Sequence, residues 1–186
     1  MPNTLKRPTR MTFDEYVDFE ETATVRHELI NGVLFARSGG TDAHHLIAGN
    51  LFLDIAGPLR GKCQVFQGGM KLKVEHQHDG DGYYPDILVS CSLNDHEKLY
   101  RKEPILLIEV LSPTTERLDR GEKRLNYLQI PSLQEYVLIA QDKPKVEIMR
   151  RRTSWLVEEL YPEDTLDLES AGLRIPLASI YQNITF

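Results

Sequence analysis

The stretch Ile105-Leu106-Leu107-Ile108-Glu109-Val110-Leu111 is the most informative part of the sequence for the fold. A nearly continuous apolar run of this length is typical of a β-strand that is covered on both faces. A helical pattern over residues 115–129 follows it, and a second apolar run, Tyr136-Val137-Leu138-Ile139-Ala140, comes after Pro131. Strand, helix and strand in this order predict a βαβ unit whose strands are parallel and whose crossover is right-handed.

The segments around this unit predict further elements of a mixed sheet. Asn31-Gly32 between two apolar runs predicts a tight hairpin, because both turn residues need positive φ. Thr12 and Glu15 have the spacing of a helix capping box. The apolar spacing over residues 42–59 predicts a helix that breaks at Gly57-Pro58. Additional strands are predicted at residues 65–66, 70–74, 84–90, 146–149 and 154–160, and a turn-rich loop at residues 76–82.

Together these elements predict an α/β (or α+β) fold with one central mixed β-sheet flanked by helices. The chain of 186 residues suits one domain, over residues 1–186, that buries enough apolar surface for its own core. Residues 1–10 are polar, with three cations and two prolines, and are expected to form a loose arm.

Composition excludes several classes of protein. No apolar run is long enough to span a bilayer, and the polar start lacks a signal-peptide core, so we expect a cytoplasmic protein without a membrane partner. Cys63 and Cys91 are too few for a disulfide framework, which favours a reducing compartment. The formal net charge of −6 argues against non-specific coating of nucleic acid.

Glu109 is the residue that points to chemistry, because it interrupts the most apolar strand of the chain. An unpaired buried carboxylate costs several kcal/mol (about 3–5), so this side chain needs a cation, a metal ion or a raised pKa. A structural ion pair, or a strand end that already reaches solvent, would satisfy it equally well.

Asp86 and Lys123 are two residues that could lie beside Glu109, one as a second metal ligand and the other as a cation. Asp86 follows Pro85 at the start of a predicted strand, and two carboxylates near the ends of neighbouring strands can hold Mg²⁺ or Mn²⁺. Lys123 lies on the predicted helix after the Glu109 strand, one turn from Asp119. It either forms an exposed helix pair with Asp119 or projects toward the acids, where it would orient water or stabilise a phosphate.

These residues carry a resemblance to a known family. Pro85-Asp86, Glu109-Val110-Leu111-Ser112-Pro113 and Asp119-Arg120-Gly121-Glu122-Lys123 together resemble the Uma2 family, also called DUF820. That family belongs to the PD-(D/E)xK restriction-endonuclease-like superfamily. The similarity extends from Phe13 to about Arg151, and it implies the restriction-endonuclease-like fold.

The resemblance also implies roles for individual residues. The superfamily carries a lysine two residues after its second acid, but Leu111 occupies that position here, so Lys123 would take the catalytic lysine's role from the following helix. Glu28 would complete or orient the water shell of the metal. The implied metal ligands are Asp86, Glu109 and the carbonyl of Val110.

Other polar residues have an ordinary interpretation beside a functional one. Gln67 either lies near the acids and positions water or is a simple strand-end amide. His45 either faces the site or caps and packs its helix. His76 and His78 lack further residues at the spacing of a zinc site. Candidate contacts to the DNA backbone, or else ordinary solvated surface, are Arg117, Arg120 and Arg124.

The leading hypothesis is therefore a Mg²⁺- or Mn²⁺-dependent endonuclease that hydrolyses DNA phosphodiester bonds. One alternative is a catalytically inactive nuclease-like fold that binds nucleic acid or another protein, and the missing strand lysine favours it. Hydrolysis of another phosphate substrate would use the same site. The alternating strands near the C-terminus also offer an edge for a homodimer.

Overall fold

The computed structural model describes residues 10–37, 39–76 and 79–186. The predicted N-terminal arm therefore lies outside the described residues except for Arg10, and His78 lies outside them as well. The helices are α1 (Phe13–Thr22), α2 (Asp42–Leu59), α3 (Glu116–Leu118), α4 (Arg124–Tyr127) and α5 (Leu177–Ile180), with a π-helical segment (Asp119–Lys123) between α3 and α4 and a 3₁₀ turn at Arg151–Thr153.

The described residues also form strands in three sheets. Their bounds are β1 (His27–Ile30), β2 (Val33–Ala36), β3 (Gln64–Gln67), β4 (Lys71–Glu75), β5 (Gly80–Tyr83), β6 (Ile87–Ser90), β7 (Tyr100–Arg101), β8 (Leu106–Leu111), β9 (Glu135–Ala140), β10 (Val146–Arg150), β11 (Val157–Leu160), β12 (Thr165–Leu168) and β13 (Leu173–Pro176).

The larger sheet contains the predicted βαβ unit. Its strand order is β11-β10-β9-β8-β6-β3, with β8 and β9 parallel and the other neighbours antiparallel. The second sheet has the order β2-β1-β5-β4-β7, and β12 and β13 form a separate hairpin. The mixed α+β class is confirmed, but the strands are divided between sheets rather than joined in one.

Both faces of β8 are covered, as its apolar run predicts. Ile108 and its alternate neighbours pack in one core with Leu51 and other apolar residues of α2. Leu107 and Leu111 pack on the opposite face with Tyr127 of α4. Because side chains alternate along a strand, Glu109 points to this second face, beneath the segment that follows β8.

Two local signals are confirmed at their expected positions. Thr12 and Glu15 form a complete capping box at the start of α1. Asn31 and Gly32 have φ angles of 52° and 77°, and they join β1 to β2 in an antiparallel hairpin.

Two local predictions need correction. Pro58 does not break α2, because it lies in the last turn, where only the bond from its missing N–H is lost. The segment predicted as a loop contains β5, and its glycines reflect close packing rather than turns. A Cβ at Gly82 would lie 2.3 Å from Cε1 of Tyr16, so α1 can lie on this strand only if it carries no side chain there.

The cysteines correct another expectation, because Cys63 and Cys91 form a disulfide. Gln64 lies opposite Ser90 in the pairing of β3 with β6, so the residues just beyond them are also neighbours, with Cα atoms 4.2 Å apart. Counting cysteines cannot show this proximity, since it depends on the register of two strands. Among the described helices, none has the length and apolar character that crossing a membrane requires.

Candidate active site

Strand pairing brings Asp86 and Glu109 together. Ile87 of β6 lies opposite Ile108 of β8, so Asp86, just before β6, extends this register toward Glu109. Asp86 Oδ2 accepts a hydrogen bond from the Val110 N–H at 2.8 Å. The two acids are only 5% and 2% exposed, respectively.

Lys123 lies against three carboxylates. Its Nζ is 3.2 Å from Oε1 of Glu109, 3.0 Å from Oε1 of Glu28 and 3.1 Å from Oδ1 of Asp119. Asp119 and Lys123 are both buried, so the interpretation of these two residues as an exposed helix pair is wrong. They begin and end the π-helical segment, a wider turn that often occurs at functional sites.

Glu28 and Tyr127 complete the surroundings of Glu109. Glu28 comes from β1, in the second sheet, and its Oε1 accepts from the Tyr84 N–H at 3.2 Å. Tyr127 donates its hydroxyl proton to Oε1 of Glu109 at 2.9 Å. The site therefore lies where the two larger sheets meet, and each sheet contributes a carboxylate.

Arg37 and His44 contact Asp86, and the sequence interpretation missed both. Arg37 Nη2 is 3.3 Å and His44 Nε2 is 3.2 Å from Asp86 Oδ1. Arg37 directly follows β2, and His44 lies in the first turn of α2. The His44-His45 pair was a visible signal, but the sequence could not show which of the two histidines contacts an acid.

The environment gives the two central acids opposite pKa shifts. Burial raises the pKa of Asp86, but His44, the Val110 N–H and Arg37 outweigh it, so that pKa is lowered. Burial raises the pKa of Glu109 well above its ordinary value, and neighbouring carboxylates reinforce this effect against the opposing charge of Lys123. Glu109 is therefore poised to bind a positive charge, whether a proton or a metal ion.

The charge of the cluster fits a divalent cation. We call Glu28, Asp86, Glu109 and Asp119 the acid cluster. Its four carboxylates face two permanent cations, Lys123 and Arg37, which leaves an excess of two negative charges when all four are ionised. In the described part of the chain no group of three His, Cys, Asp or Glu side chains is arranged to hold a metal. A Mg²⁺ or Mn²⁺ ion would thus depend on two carboxylates together with backbone, water or substrate oxygens.

A cavity of about 540 Å³ gives access to these buried groups. Asp86, Glu109, Glu28 and Lys123 line it, whereas Asp119 lies behind Lys123 and does not. Of the three accessory candidates Gln67, His45 and Asp119, the first two also line the cavity, as do Arg37 and His44.

The three arginines predicted to contact DNA do not line this cavity. Arg120 is held by Glu116, with Nε 2.7 Å from Oε1, and by Glu147, with Nη2 3.0 Å from Oε1. Arg117 is exposed and Arg124 is half-buried. The arginines that do line the cavity are Arg26 and Arg37, which precede Asp86 and Glu109 in the sequence, whereas Arg117, Arg120 and Arg124 follow them.

Comparisons with known proteins agree with this architecture. The sequence model of the Uma2 family, described as "Putative restriction endonuclease", matches residues 13–178. Two proteins of Synechocystis, "Uncharacterized protein slr1290" and "Uncharacterized protein sll1609", are each 30% identical to the chain. The matches cover 95% and 89% of this chain and 94% and 95% of the relatives' own lengths, respectively. A crystal structure of "a putative nuclease belonging to DUF820" from Anabaena variabilis has a TM-score of 0.75 at 18% identity and covers 94% of this chain and 99% of its own. That likeness shows a shared fold.

Proposed function

The chain belongs to the Uma2 family, and from that premise we propose that it is a divalent-metal-dependent endonuclease that hydrolyses DNA phosphodiester bonds. The observation that carries the proposal is the position of Lys123, whose Nζ lies 3.2 Å from Glu109 at the base of an open cavity. A lysine displaced from the strand must reach the acids if it is to act in catalysis, and this distance supports that role.

Asp86 and Glu109 are the proposed ligands of Mg²⁺ or Mn²⁺, with the Val110 carbonyl as a third. When bound, the metal ion supplies charge stabilisation and lowers the pKa of a coordinated water. The excess negative charge of the acid cluster supports this assignment, because Lys123 and Arg37 offset only two of its four carboxylates when all four are ionised.

The side chains around the acids have separate proposed tasks. Three carboxylates hold the ammonium group of Lys123 beside the acids, so each of its three N–H groups has an acceptor. To donate to the attacking water or to a phosphate oxygen, Lys123 exchanges one of these contacts, for example when a metal ion takes over Glu109. Glu28 orients Lys123 and the nearby waters. Gln67 and His45, on the cavity wall, would contact water or the substrate.

A second candidate is a nuclease-like fold without catalysis that binds nucleic acid or a protein. Two observations favour it: Leu111 replaces the strand lysine, and every member of the acid cluster already has a partner within the described chain. A purely structural ion-pair network would show the same contacts, so activity must decide between the candidates.

The deciding experiment is cleavage of supercoiled and branched DNA with Mg²⁺ or Mn²⁺. We expect metal-dependent cutting by the wild type, and its loss in both Asp86→Ala and Lys123→Ala. Cutting that persists unchanged in both variants would contradict the site assignment. Absence of cutting by the pure wild type would favour the binding module.

The domain organisation, the cellular location and the oligomeric state are proposed as well. We infer a single domain over residues 1–186, a cytoplasmic location and a homodimer that would place two sites on two DNA strands. β11 lies at the edge of the larger sheet and supports the last of these. Sedimentation of the purified protein tests it, since a monomer at all concentrations would contradict it.

A further inference from the structure

Two arginines, Arg26 and Arg37, lie side by side in the lining of the cavity, and the proposed chemistry gives Arg26 no role. Arg26 Nη1 donates to the Gly68 carbonyl at 2.7 Å, and Arg37 Nη1 donates to the same oxygen at 3.3 Å. Both guanidinium groups also lie over the ring of Tyr84, at 5.4 and 5.7 Å from its centroid. A shared acceptor and a shared aromatic face hold two like charges side by side.

The support beneath these arginines is rigid. Tyr84 is buried, its N–H donates to Glu28 and its hydroxyl donates to Glu20 at 2.8 Å. Arg26 also lies close to the backbone of the loop, since a Cβ built at Gly69 would be in van der Waals contact with its Nη1 at 3.4 Å.

Arg26 and Arg37 differ in their negative partners. Arg37 forms an ion pair with Asp86, whereas no carboxylate of the described chain lies within ion-pair distance of Arg26. The ammonium of Lys71 lies 5.6 Å from the same Tyr84 ring and adds a third positive charge. Arg26 is exposed and lines the cavity, so its charge faces the space that a substrate would enter.

We propose that Arg26, seated on Gly68 and Tyr84, binds a backbone phosphate of the DNA strand next to the phosphate held at the acid cluster. This inference rests on the proposed function and names a residue that binds the substrate backbone. A guanidinium that uses one N–H on a carbonyl keeps its other donors for a phosphate. The proposed contact to the DNA backbone thus lies at Arg26 on the cavity wall, and not at Arg117, Arg120 and Arg124, which do not line the cavity.

The test is a salt titration of DNA binding, measured by anisotropy of a short fluorescein-labelled duplex with Ca²⁺ in place of Mg²⁺. We compare the wild type with Arg26→Gln, Arg26→Lys and the matched control Arg174→Gln, since Arg174 is an exposed arginine on β13 that does not line the cavity. Loss of one phosphate contact should reduce the slope of log affinity against log salt by about 0.9 and weaken binding about tenfold. Arg26→Lys should keep the wild-type slope, and Arg174→Gln should keep both slope and affinity.

Each outcome separates this inference from the proposed function. An unchanged slope in Arg26→Gln would overturn the phosphate contact even if the wild type cuts DNA. A reduced slope in that variant would support the contact even if the wild type cuts nothing. Equal effects of Arg26→Gln and Arg174→Gln would show only general charge loss and overturn it, as would a wild type that binds no DNA.

Discussion

Two buried ion-pair networks differ in the charge balance of their buried groups and in their access to the cavity. One lies where the two larger sheets meet, and the other lies within the larger sheet. In the first, the acid cluster has more carboxylates than cations and opens to a cavity. In the second, Glu135 at the start of β9 accepts from Arg150 Nε at 3.1 Å and from the N–H groups of Glu169 and Ser170 at 3.1 and 2.9 Å. Neither Glu135 nor Arg150 lines the cavity.

The contrast shows what separates a structural buried charge from a reactive one. Glu135 and Arg150 oppose each other in the register of β9 and β10, and backbone donors satisfy the remaining lone pairs of the carboxylate. Glu109 instead has a raised pKa because burial and neighbouring carboxylates act in the same direction. Burial of charge alone does not identify a site, whereas unbalanced charge beside a cavity does.

Removing the buried carboxylate of the second network should have the largest effect on stability. Glu135→Gln leaves Arg150 paired with Glu158 and Glu169, but it turns an amide NH₂ group toward the N–H and hydroxyl donors that Glu135 accepts from, so we expect the free energy of unfolding to fall by about 3 kcal/mol. Urea unfolding followed by circular dichroism measures this loss. A change of less than about 1 kcal/mol would remove the distinction between the two networks.

The matched change in the acid cluster should act on activity instead. Glu109→Gln keeps the shape of the side chain and removes one negative charge from an unbalanced cluster, while Lys123 keeps its contacts with Glu28 and Asp119. We expect DNA cleavage to fall by about 10²–10³-fold. The free energy of unfolding should stay the same or rise, and a strong destabilisation would mean that this cluster is also structural.

Metal binding should stabilise the protein through the acid cluster and not through the network of Glu135. Mg²⁺ or Mn²⁺ at about 100 times its dissociation constant should raise the free energy of unfolding of the wild type by about 2.7 kcal/mol. Thermal unfolding with and without metal measures this increment. Glu135→Gln should retain it and Glu109→Gln should lose it, whereas an equal increment in both variants would locate the metal elsewhere.

A partly exposed network gives the smallest effect and a pH dependence. Burial raises the pKa of Glu147, but Arg120 and Lys145 outweigh it, so that pKa lies below its ordinary value of 4.5. A lowered pKa in the folded state contributes stability above this value, and that contribution is lost as the pH falls through the folded pKa.

Glu147→Gln should therefore cost about 1 kcal/mol at neutral pH, where solvent screens the pair, and progressively less in acid. Urea unfolding of the wild type and of Glu147→Gln, at neutral pH and at pH values below 4.5, measures the difference. A cost that does not change with pH would show that packing, not charge, determines the effect of this residue.

Local patterns predicted much of the fold because their causes lie within a few residues. The apolar run around Glu109, the Asn31-Gly32 turn and the capping box at Thr12 all correspond to elements of the structure. The β12–β13 hairpin was missed, since its alternation is short and lies among acidic residues. The division into two larger sheets was missed because it depends on which distant strands pair.

The candidate site was predictable only in part for the same reason. Asp86 directly precedes β6 and Glu109 lies in β8, and these two strands pair, so the proximity of the acids follows from the pairing of two predicted strands. Arg37 and His44 come from a hairpin and a helix that meet Asp86 only in the folded chain. The helical pattern left Lys123 either exposed beside Asp119 or directed toward the acids, because it does not show which face of the helix is buried. The family resemblance implied the second position and the catalytic role.

The π-helical segment makes the position of Lys123 a matter of chain length as well as residue type. An α-helix turns by about 100° per residue, so removing one residue from Asp119–Lys123 would rotate everything before it relative to α4 by about that angle. Leu111 packs in the core, whereas Glu109, two residues before it on the same strand, lines the cavity. The acid and the lysine therefore lie on different elements, and a single deletion in the π-helical segment can move Lys123 relative to Glu109 without changing the sequence of β8.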